Sequence, residues 1–164
     1  MLPQRWFGVR PEALLPRLLL VLVIVLVIRR WVWAPILMEG ESMLPTLTSG
    51  RLALVNKLAY RFRPPQRGDI VLVWTGEEWW VKRILGLPGE EIAVRSGAVY
   101  VNGSPIQEPY VRLKDFSDIA RGKLETGRFV VAGDNRQSGL IAVVSRDRVV
   151  GKLMFLRTRT QRPH

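Results

Sequence analysis

An unbroken apolar run near the amino terminus, Leu18–Ile28, limits what this chain can fold into more than any other feature. As a helix the run would reach only about 16 Å, but the longer stretch 13–33 would reach about 32 Å, close to the thickness of the hydrocarbon layer. A core helix this apolar would need shielding on all sides, which a chain of 164 residues can hardly supply. The run therefore predicts one transmembrane helix, with Trp31 and Trp33 at the lipid–water interface.

The residues that follow the run decide between an uncleaved anchor and a cleaved secretory signal. A cleavage site needs small side chains, whereas residues 29–38 read RRWVWAPILM and are mostly bulky. We therefore predict a short amino-terminal segment over 1–12, a transmembrane anchor over 13–34 and a single domain over 35–164. Arginines lie on both sides of the run, so charge alone does not decide the orientation of the chain in a membrane.

The net charge of +11 invites a nucleic-acid-binding interpretation, but the distribution of charge argues against it. Residues 39–134 carry thirteen basic and twelve acidic side chains, so the excess lies at the two ends of the chain. No basic stripe with interleaved aromatic residues is present, which also disfavours nucleic acid as a partner. Basic ends beside an apolar run fit attraction to an anionic lipid bilayer. For residues 157–164 a solvated basic tail remains an open alternative.

Beyond residue 38 the apolar stretches are short and are bounded by glycine and proline, a pattern typical of strands. Asn102–Gly103 predicts a two-residue hairpin turn, in which both residues have positive φ. Residues 112–127 are polar and lack a pattern, and we expect an exposed loop there. The predicted fold class is therefore mainly β, with irregular loops. The predicted strands are Arg51–Asn56, Asp69–Trp74, Trp79–Leu87, Ile92–Val94, Ala98–Val101, Phe129–Ala132 and Val149–Phe155.

The composition removes most of the usual catalysts. The chain has no cysteine, which excludes disulfides, thiolate metal sites and a cysteine nucleophile. Its one histidine, His164, is the last residue, which disfavours a Ser–His–Asp triad and a histidine-ligated zinc site. We expect neither a metal nor a cofactor. Acid–base chemistry is then left to carboxylates, lysine or tyrosine.

One serine stands out because of its surroundings. Ser42 follows Gly40 closely and lies shortly after the apolar run. Pro45 disfavours helix at Leu44, so we expect Ser42 on a turn or in an extended segment. Taken alone, such a serine is more often a hydrogen-bonded loop residue than a nucleophile, and the sequence around it does not decide between the two.

One lysine lies in an apolar strand. Alternation along a strand would put Lys82 on one face with Trp80 and Ile84, opposite Val81 and Arg83. Burial would lower the pKa of this lysine from about 10.4, and a neutral lysine can take the proton of a serine hydroxyl. The alternative is a surface strand on which both cations are solvated, and the strand alone leaves that alternative open.

Five segments are informative when they are considered together: GESMLPTL (40–47), RGDIVLVW (67–74), VKRILGLPGE (81–90), GAVYVNGSPIQEPY (97–110) and GDNR (133–136). In their order and approximate spacing these segments resemble type I signal peptidases. The resemblance implies Ser42 as nucleophile and Lys82 as general base and later general acid. It implies a mainly β catalytic domain on the extracytoplasmic side of the plasma membrane, with residues 1–12 cytoplasmic. It also implies exported preproteins as substrates, with Met43 and Leu44 as candidates for lining shallow pockets.

The resemblance also suggests supporting residues. Gly40 stands where some relatives have a serine that helps to bind the oxyanion, so this chain needs another donor. Asp134 and Arg136 could form an ion pair that supports the site, or they could be part of an ordinary loop turn. The segment after Arg136 is shorter than in the family and lacks the usual aspartate, and Ser138 is the candidate to orient the lysine.

The predicted function is therefore membrane-bound endopeptidase activity that removes signal peptides from preproteins, carried out by a monomer. A specialised Ser–Lys maturation peptidase with few substrates is one alternative. A non-enzymatic, membrane-tethered basic module is another. A self-cleaving repressor is disfavoured because residues 1–41, where its DNA-binding domain would lie, contain the apolar run.

Overall fold

The computed structural model describes residues 14–31, 33–111, 119–137 and 140–154. One helix, α1 (Leu14–Trp31), is followed in the described residues by eleven strands in two sheets, so the predicted mainly β fold is confirmed. The strands are β1 Trp33–Leu37, β2 Leu52–Asn56, β3 Ile70–Trp74, β4 Trp79–Gly86, β5 Glu91–Arg95, β6 Ala98–Val101, β7 Ser104–Pro105, β8 Ile119–Lys123, β9 Arg128–Ala132, β10 Ile141–Ser145 and β11 Val149–Met154.

Helix α1 has 18 residues, and its side chains from Leu14 to Ile28 are exposed. Within the described ranges, no helix combines the length and the apolarity that crossing a membrane requires. The helix ends at Trp31. Trp33 and Ala34, which the sequence analysis assigned to the anchor, belong instead to β1, where pairing with β2 satisfies their backbone groups.

The larger sheet has seven antiparallel strands in the order β1-β2-β11-β3-β4-β9-β10. Its central strand β3 has apolar side chains on both faces. Ile70 and Leu72 pack into one hydrophobic cluster, and Val71 and Val73 pack into a second. This alternation follows from the two-residue period of a strand and explains why β3 is a continuous apolar run.

The smaller sheet has four strands in the order β7-β6-β5-β8. A third hydrophobic cluster joins it to the larger sheet, because Leu85 and Val130 of the larger sheet pack with Ile92 and Val99 of the smaller one. At Gly86 an added Cβ would come within 2.9 Å of Ile92, so the absence of a side chain there permits the close approach of the sheets.

The sequence analysis located most strands but not all. The hairpin turn is confirmed, since Asn102 and Gly103 have φ of 50° and 83° between β6 and β7. The expected loop over 112–127 is wrong for Ile119–Lys123, which forms β8 against β5. The edge strands β1 and β10 were not predicted.

Candidate active site

The loop between β1 and β2, residues 38–51, carries Ser42 and is called the serine loop below. Backbone hydrogen bonds close the base of this loop, from Met38 N to Arg51 O and from Gly50 N to Met38 O, both 2.8 Å long. Met43 and Leu47 are almost fully buried in the first hydrophobic cluster. The loop is therefore held to the sheet on both sides of Ser42, which itself is partly buried.

Lys82 lies in the middle of β4, opposite Val71 of β3. Only 6 % of its surface is exposed, so the alternative of a solvated lysine is wrong. Burial lowers the pKa of Lys82 from its ordinary value, and the charge of the nearby Glu78 carboxylate partly opposes that change. The ring of Trp80 lies 5.9 Å from the Lys82 Nζ atom, measured to the ring centroid. A lowered pKa makes the neutral form of a lysine, which can accept a proton, easier to reach than it is in water.

Ser42 and Lys82 line the same cavity, which has a volume of about 700 Å³. Gly40 and Met43 also line it, whereas Leu44 does not. Gly40 has a φ of +84°, and an added Cβ would meet no atom within 4 Å, so the space beside it is open. Among the described residues no hydrogen bond joins the two side chains of Ser42 and Lys82. In enzymes without bound substrate such contacts are often long and shorten when the reactants bind.

The segment 133–136 contacts the serine loop directly. Asn135 N donates to Ser42 O at 3.0 Å, and Asn135 Nδ2 donates to Glu41 O at 3.2 Å. These two bonds fix the backbone on either side of the Ser42 amide. Asn135 was not singled out in the sequence, and only its position within the GDNR segment would have indicated it.

Of the two alternatives left open for Asp134 and Arg136, the structure does not show the ion pair between them, because each has another partner. Asp134 is 1 % exposed and accepts hydrogen bonds from Arg83 Nε at 2.8 Å and Arg83 Nη2 at 2.6 Å. It also accepts a bond of 2.5 Å from Thr46 Oγ1 in the serine loop. Arg136 pairs instead with Glu108. Each buried charge thus has a partner from a distant part of the chain, which the local sequence could not indicate.

The remaining predicted site residue, Ser138, lies outside the described residues. Apart from Ser138, the structure therefore brings the predicted residues to one region but connects them differently. Ser42, Lys82, Gly40 and Met43 meet at the cavity. Asp134 and Arg136 do not line the cavity; Asp134 binds Thr46 and Arg83, and Arg136 binds Glu108.

Comparison with known proteins identifies relatives along almost the whole chain. The family described as "Signal peptidase, peptidase S26" matches residues 12–157. Signal peptidase I of Bacillus caldolyticus is 37% identical over 151 residues, covering 80% of this chain and 83% of that protein. A probable signal peptidase I-1 of Synechocystis sp. is 30% identical over 168 residues, covering 94% of this chain and 85% of that protein. A crystal structure of a signal peptidase I from Enterococcus faecalis V583 aligns with a TM-score of 0.49 and 26% identity, covering 56% of this chain and 98% of that one.

Proposed function

This chain belongs to the signal peptidase family, peptidase S26, whose members remove signal peptides as serine endopeptidases, and we propose that Ser42 is its nucleophile and Lys82 its general base. The observation that carries the proposal is that the serine hydroxyl and a buried lysine line one cavity. Lysine can act as a base there because burial disfavours its charged form.

The proposed reaction has two stages. Neutral Lys82 takes the proton of the Ser42 hydroxyl while the Oγ atom attacks the carbonyl carbon of the scissile peptide bond. The carbon–nitrogen bond then breaks, and the lysine gives that proton to the leaving amine. In the second stage Lys82 deprotonates a water molecule, which attacks the ester, releases the new carboxyl group and restores the Ser42 hydroxyl.

The negatively charged oxygen formed in each stage needs hydrogen-bond donors that are already in place. We propose the backbone N–H of Ser42 as one donor. The fixed backbone around this residue supports that role, because Asn135 binds the carbonyls of both Glu41 and Ser42. Gly40 supplies no side-chain donor, and the open space beside it leaves room for the substrate. Removing one such donor in other enzymes costs about 100- to 1000-fold in rate.

We further propose roles for the neighbouring side chains. Met43 forms part of the wall that a substrate side chain contacts, and Leu44 is a weaker candidate because it does not line the cavity. Asp134 and Arg136 support the site from behind. Ser138 remains the proposed partner that orients the lysine.

The proposed substrates are exported preproteins that are cut after a small residue. For placement we propose a monomer attached to the plasma membrane by the segment that ends with α1 at Trp31, with residues 1–12 cytoplasmic and the catalytic domain extracytoplasmic. Support comes from the apolar side chains of α1 along Leu18–Ile28, which are exposed in the structure. Carbonate extraction of membranes and protease protection of sealed vesicles test this arrangement. Release by carbonate would contradict it.

The test of the Ser42–Lys82 assignment uses the full chain in detergent and a preprotein substrate. We expect Ser42→Ala and Lys82→Ala each to reduce kcat by a factor on the order of 10⁴ or more. Lys82→Arg should be equally inactive, because a guanidinium group does not lose its proton in a protein. Ser49→Ala is the matched control, since Ser49 belongs to the same loop but bonds only to Met38 O. Full activity of Ser42→Ala or Lys82→Ala would exclude the assignment.

A further inference from the structure

We propose that Glu108 is a positioning residue of this peptidase. It lies after β7, and its carboxylate binds two side chains, Arg136 and Tyr110. Through them it holds both the backbone that fixes Ser42 and the arginine that follows Lys82. The inference rests on the function proposed above and adds a residue that lies outside the cavity.

The first connection runs from Glu108 to Arg136. Arg136 Nη1 donates to Glu108 Oε2 at 3.4 Å, and Arg136 Nη2 donates to Glu108 Oε1, so the pair is bidentate. The two side chains are 2 % and 9 % exposed, and Glu108 is the only carboxylate that pairs with Arg136 within the described residues. A buried guanidinium without its partner is strongly unfavourable. Removal of the carboxylate should therefore displace Arg136.

Two sets of hydrogen bonds connect Arg136 to the backbone at Ser42. The Arg136 Nε atom donates to Gly133 O at 2.9 Å, which closes the segment 133–136 on itself. Asn135, in the middle of this segment, donates to Ser42 O and to Glu41 O. A movement of the segment must therefore move the backbone at Ser42. A displacement of about 1 Å in a reacting group can cost about 100-fold in rate.

The second connection runs from Glu108 to the strand that carries Lys82. Tyr110 Oη donates to Glu108 Oε1 at 3.2 Å, and the Arg83 Cζ atom lies 4.0 Å from the centroid of the Tyr110 ring. Burial and the charge of Glu108 raise the pKa of Tyr110, so its hydroxyl remains a donor. Arg83 is thus held between the Tyr110 ring and the carboxylate of Asp134.

A positioning role makes a different prediction from an electrostatic one. The pKa of Lys82 responds to burial and to Glu78, not to Glu108. Loss of the Glu108 charge should therefore lower kcat and leave the pH dependence of kcat/KM unchanged. Loss of the Glu78 charge should move that pH dependence instead.

The experiment compares Glu108→Gln with the wild-type full chain in detergent, using a preprotein substrate. Glutamine keeps the size of the side chain but cannot neutralise a guanidinium group. We expect kcat to fall about 10- to 100-fold, with a smaller change in KM and no shift of the pH profile. Glu125→Gln is the matched control, because Glu125 is 80 % exposed in a surface pair with Arg128 and should retain wild-type kinetics.

Two more variants keep the test decisive. If circular dichroism shows that Glu108→Gln does not fold, Tyr110→Phe replaces it, since it removes only the hydroxyl bond and should lower kcat several-fold. In a double-mutant cycle, Asn135→Ala and Glu108→Gln act on one segment. The fold decrease in kcat of the double variant should therefore be smaller than the product of the two single decreases.

A wild-type kcat in folded Glu108→Gln, or in Tyr110→Phe where that variant replaces it, would overturn this inference. The inference would also be overturned if the fold decrease in kcat of the double variant equalled the product of the two single decreases. Such results would leave the Ser42–Lys82 assignment intact as long as Ser42→Ala is inactive. Activity of Ser42→Ala would instead contradict the proposed function, so the two failures are distinguishable.

Discussion

Two adjacent cations in β4 have opposite environments, and the difference follows from the alternation of a strand. Lys82 and Arg83 point to different faces. Arg83 pairs with the carboxylate of Asp134. Burial lowers the pKa of Arg83, but the hydrogen bonds and charge of Asp134, together with the charges of Tyr110 and Glu108, outweigh burial and raise it. Lys82 has no ion-pair partner among the described residues, and burial lowers its pKa. One residue is therefore suited to a structural charge and its neighbour to proton transfer.

The pH dependence of activity should report the pKa of Lys82. The reaction needs neutral lysine, so kcat/KM should rise with pH as the ammonium loses its proton, at a pH below the ordinary value for lysine. The Glu78 carboxylate raises the pKa of Lys82, so Glu78→Gln should lower that pKa further and move the rising limb to lower pH. Rates measured between pH 5 and pH 10 test this. The control is Glu77→Gln, an exposed neighbour, and a flat profile in the wild type would contradict a lysine base.

At the scale of elements, the position of β11 organises the larger sheet. This last strand lies between β2 and β3 rather than at an edge, and its pairing with β3 shifts register between Val149 and Gly151. Gly151 is required there by close packing. A Cβ at this position would lie 2.5 Å from the backbone oxygen of Asn56, which belongs to β2. The two neighbouring strands could not keep their spacing with a larger residue.

Gly151→Ala should therefore destabilise the fold. The backbone of β2 would have to move, and we expect the free energy of unfolding to fall by about 1–3 kcal/mol. Urea denaturation of the full chain in detergent, followed by tryptophan fluorescence, measures the change. Gly122→Ala provides the control, because a Cβ at this strand position meets no atom within 4 Å and should leave the stability nearly unchanged. Equal stabilities of the two variants would contradict the close-packing argument.

A strand could be predicted from the sequence when its own residues and its immediate neighbours carried a strand pattern. Strands such as β3 were predicted because their apolar runs are bounded by glycine and proline. Strand β8, with the sequence IARGK, has too few apolar residues to be detected, and it exists because it pairs with β5. Strand β1 follows the apolar run closely and is itself apolar, so its first two residues were assigned to the anchor.

The candidate site divides in the same way. Ser42 and Lys82 were singled out because the short segments that contain them resemble those of a known family. The partner of Asp134 is 51 residues away along the chain, and that of Arg136 is 28 residues away. Contacts over such separations are set by the sheet topology. The partners of Asp134 and Arg136 therefore could not be predicted from a single sequence.

At the scale of the whole molecule, the third hydrophobic cluster makes the two sheets depend on each other. Leu85 and Val130 of the larger sheet are buried by contact with residues of the smaller sheet. The smaller sheet also carries the chain onward to Glu108, which binds Arg136 in the segment 133–136, and Asn135 of that segment contacts the serine loop. Loss of the smaller sheet would therefore expose core residues of the larger one and would also remove the support of the site. We infer that the two sheets unfold as one cooperative unit.

A substitution in the smaller sheet tests this coupling, because all six tryptophans of the chain lie outside residues 91–123 and report on other parts of the protein. Ile92→Ala removes a side chain that is 6 % exposed in the shared cluster, and should lower the free energy of unfolding by about 2–5 kcal/mol. With coupled sheets, tryptophan fluorescence and far-UV circular dichroism should both move to the same lower urea midpoint. The control Ser104→Ala, exposed in β7 of the same sheet, should leave the midpoint in place. A fluorescence midpoint unchanged by Ile92→Ala would mean that the smaller sheet unfolds on its own.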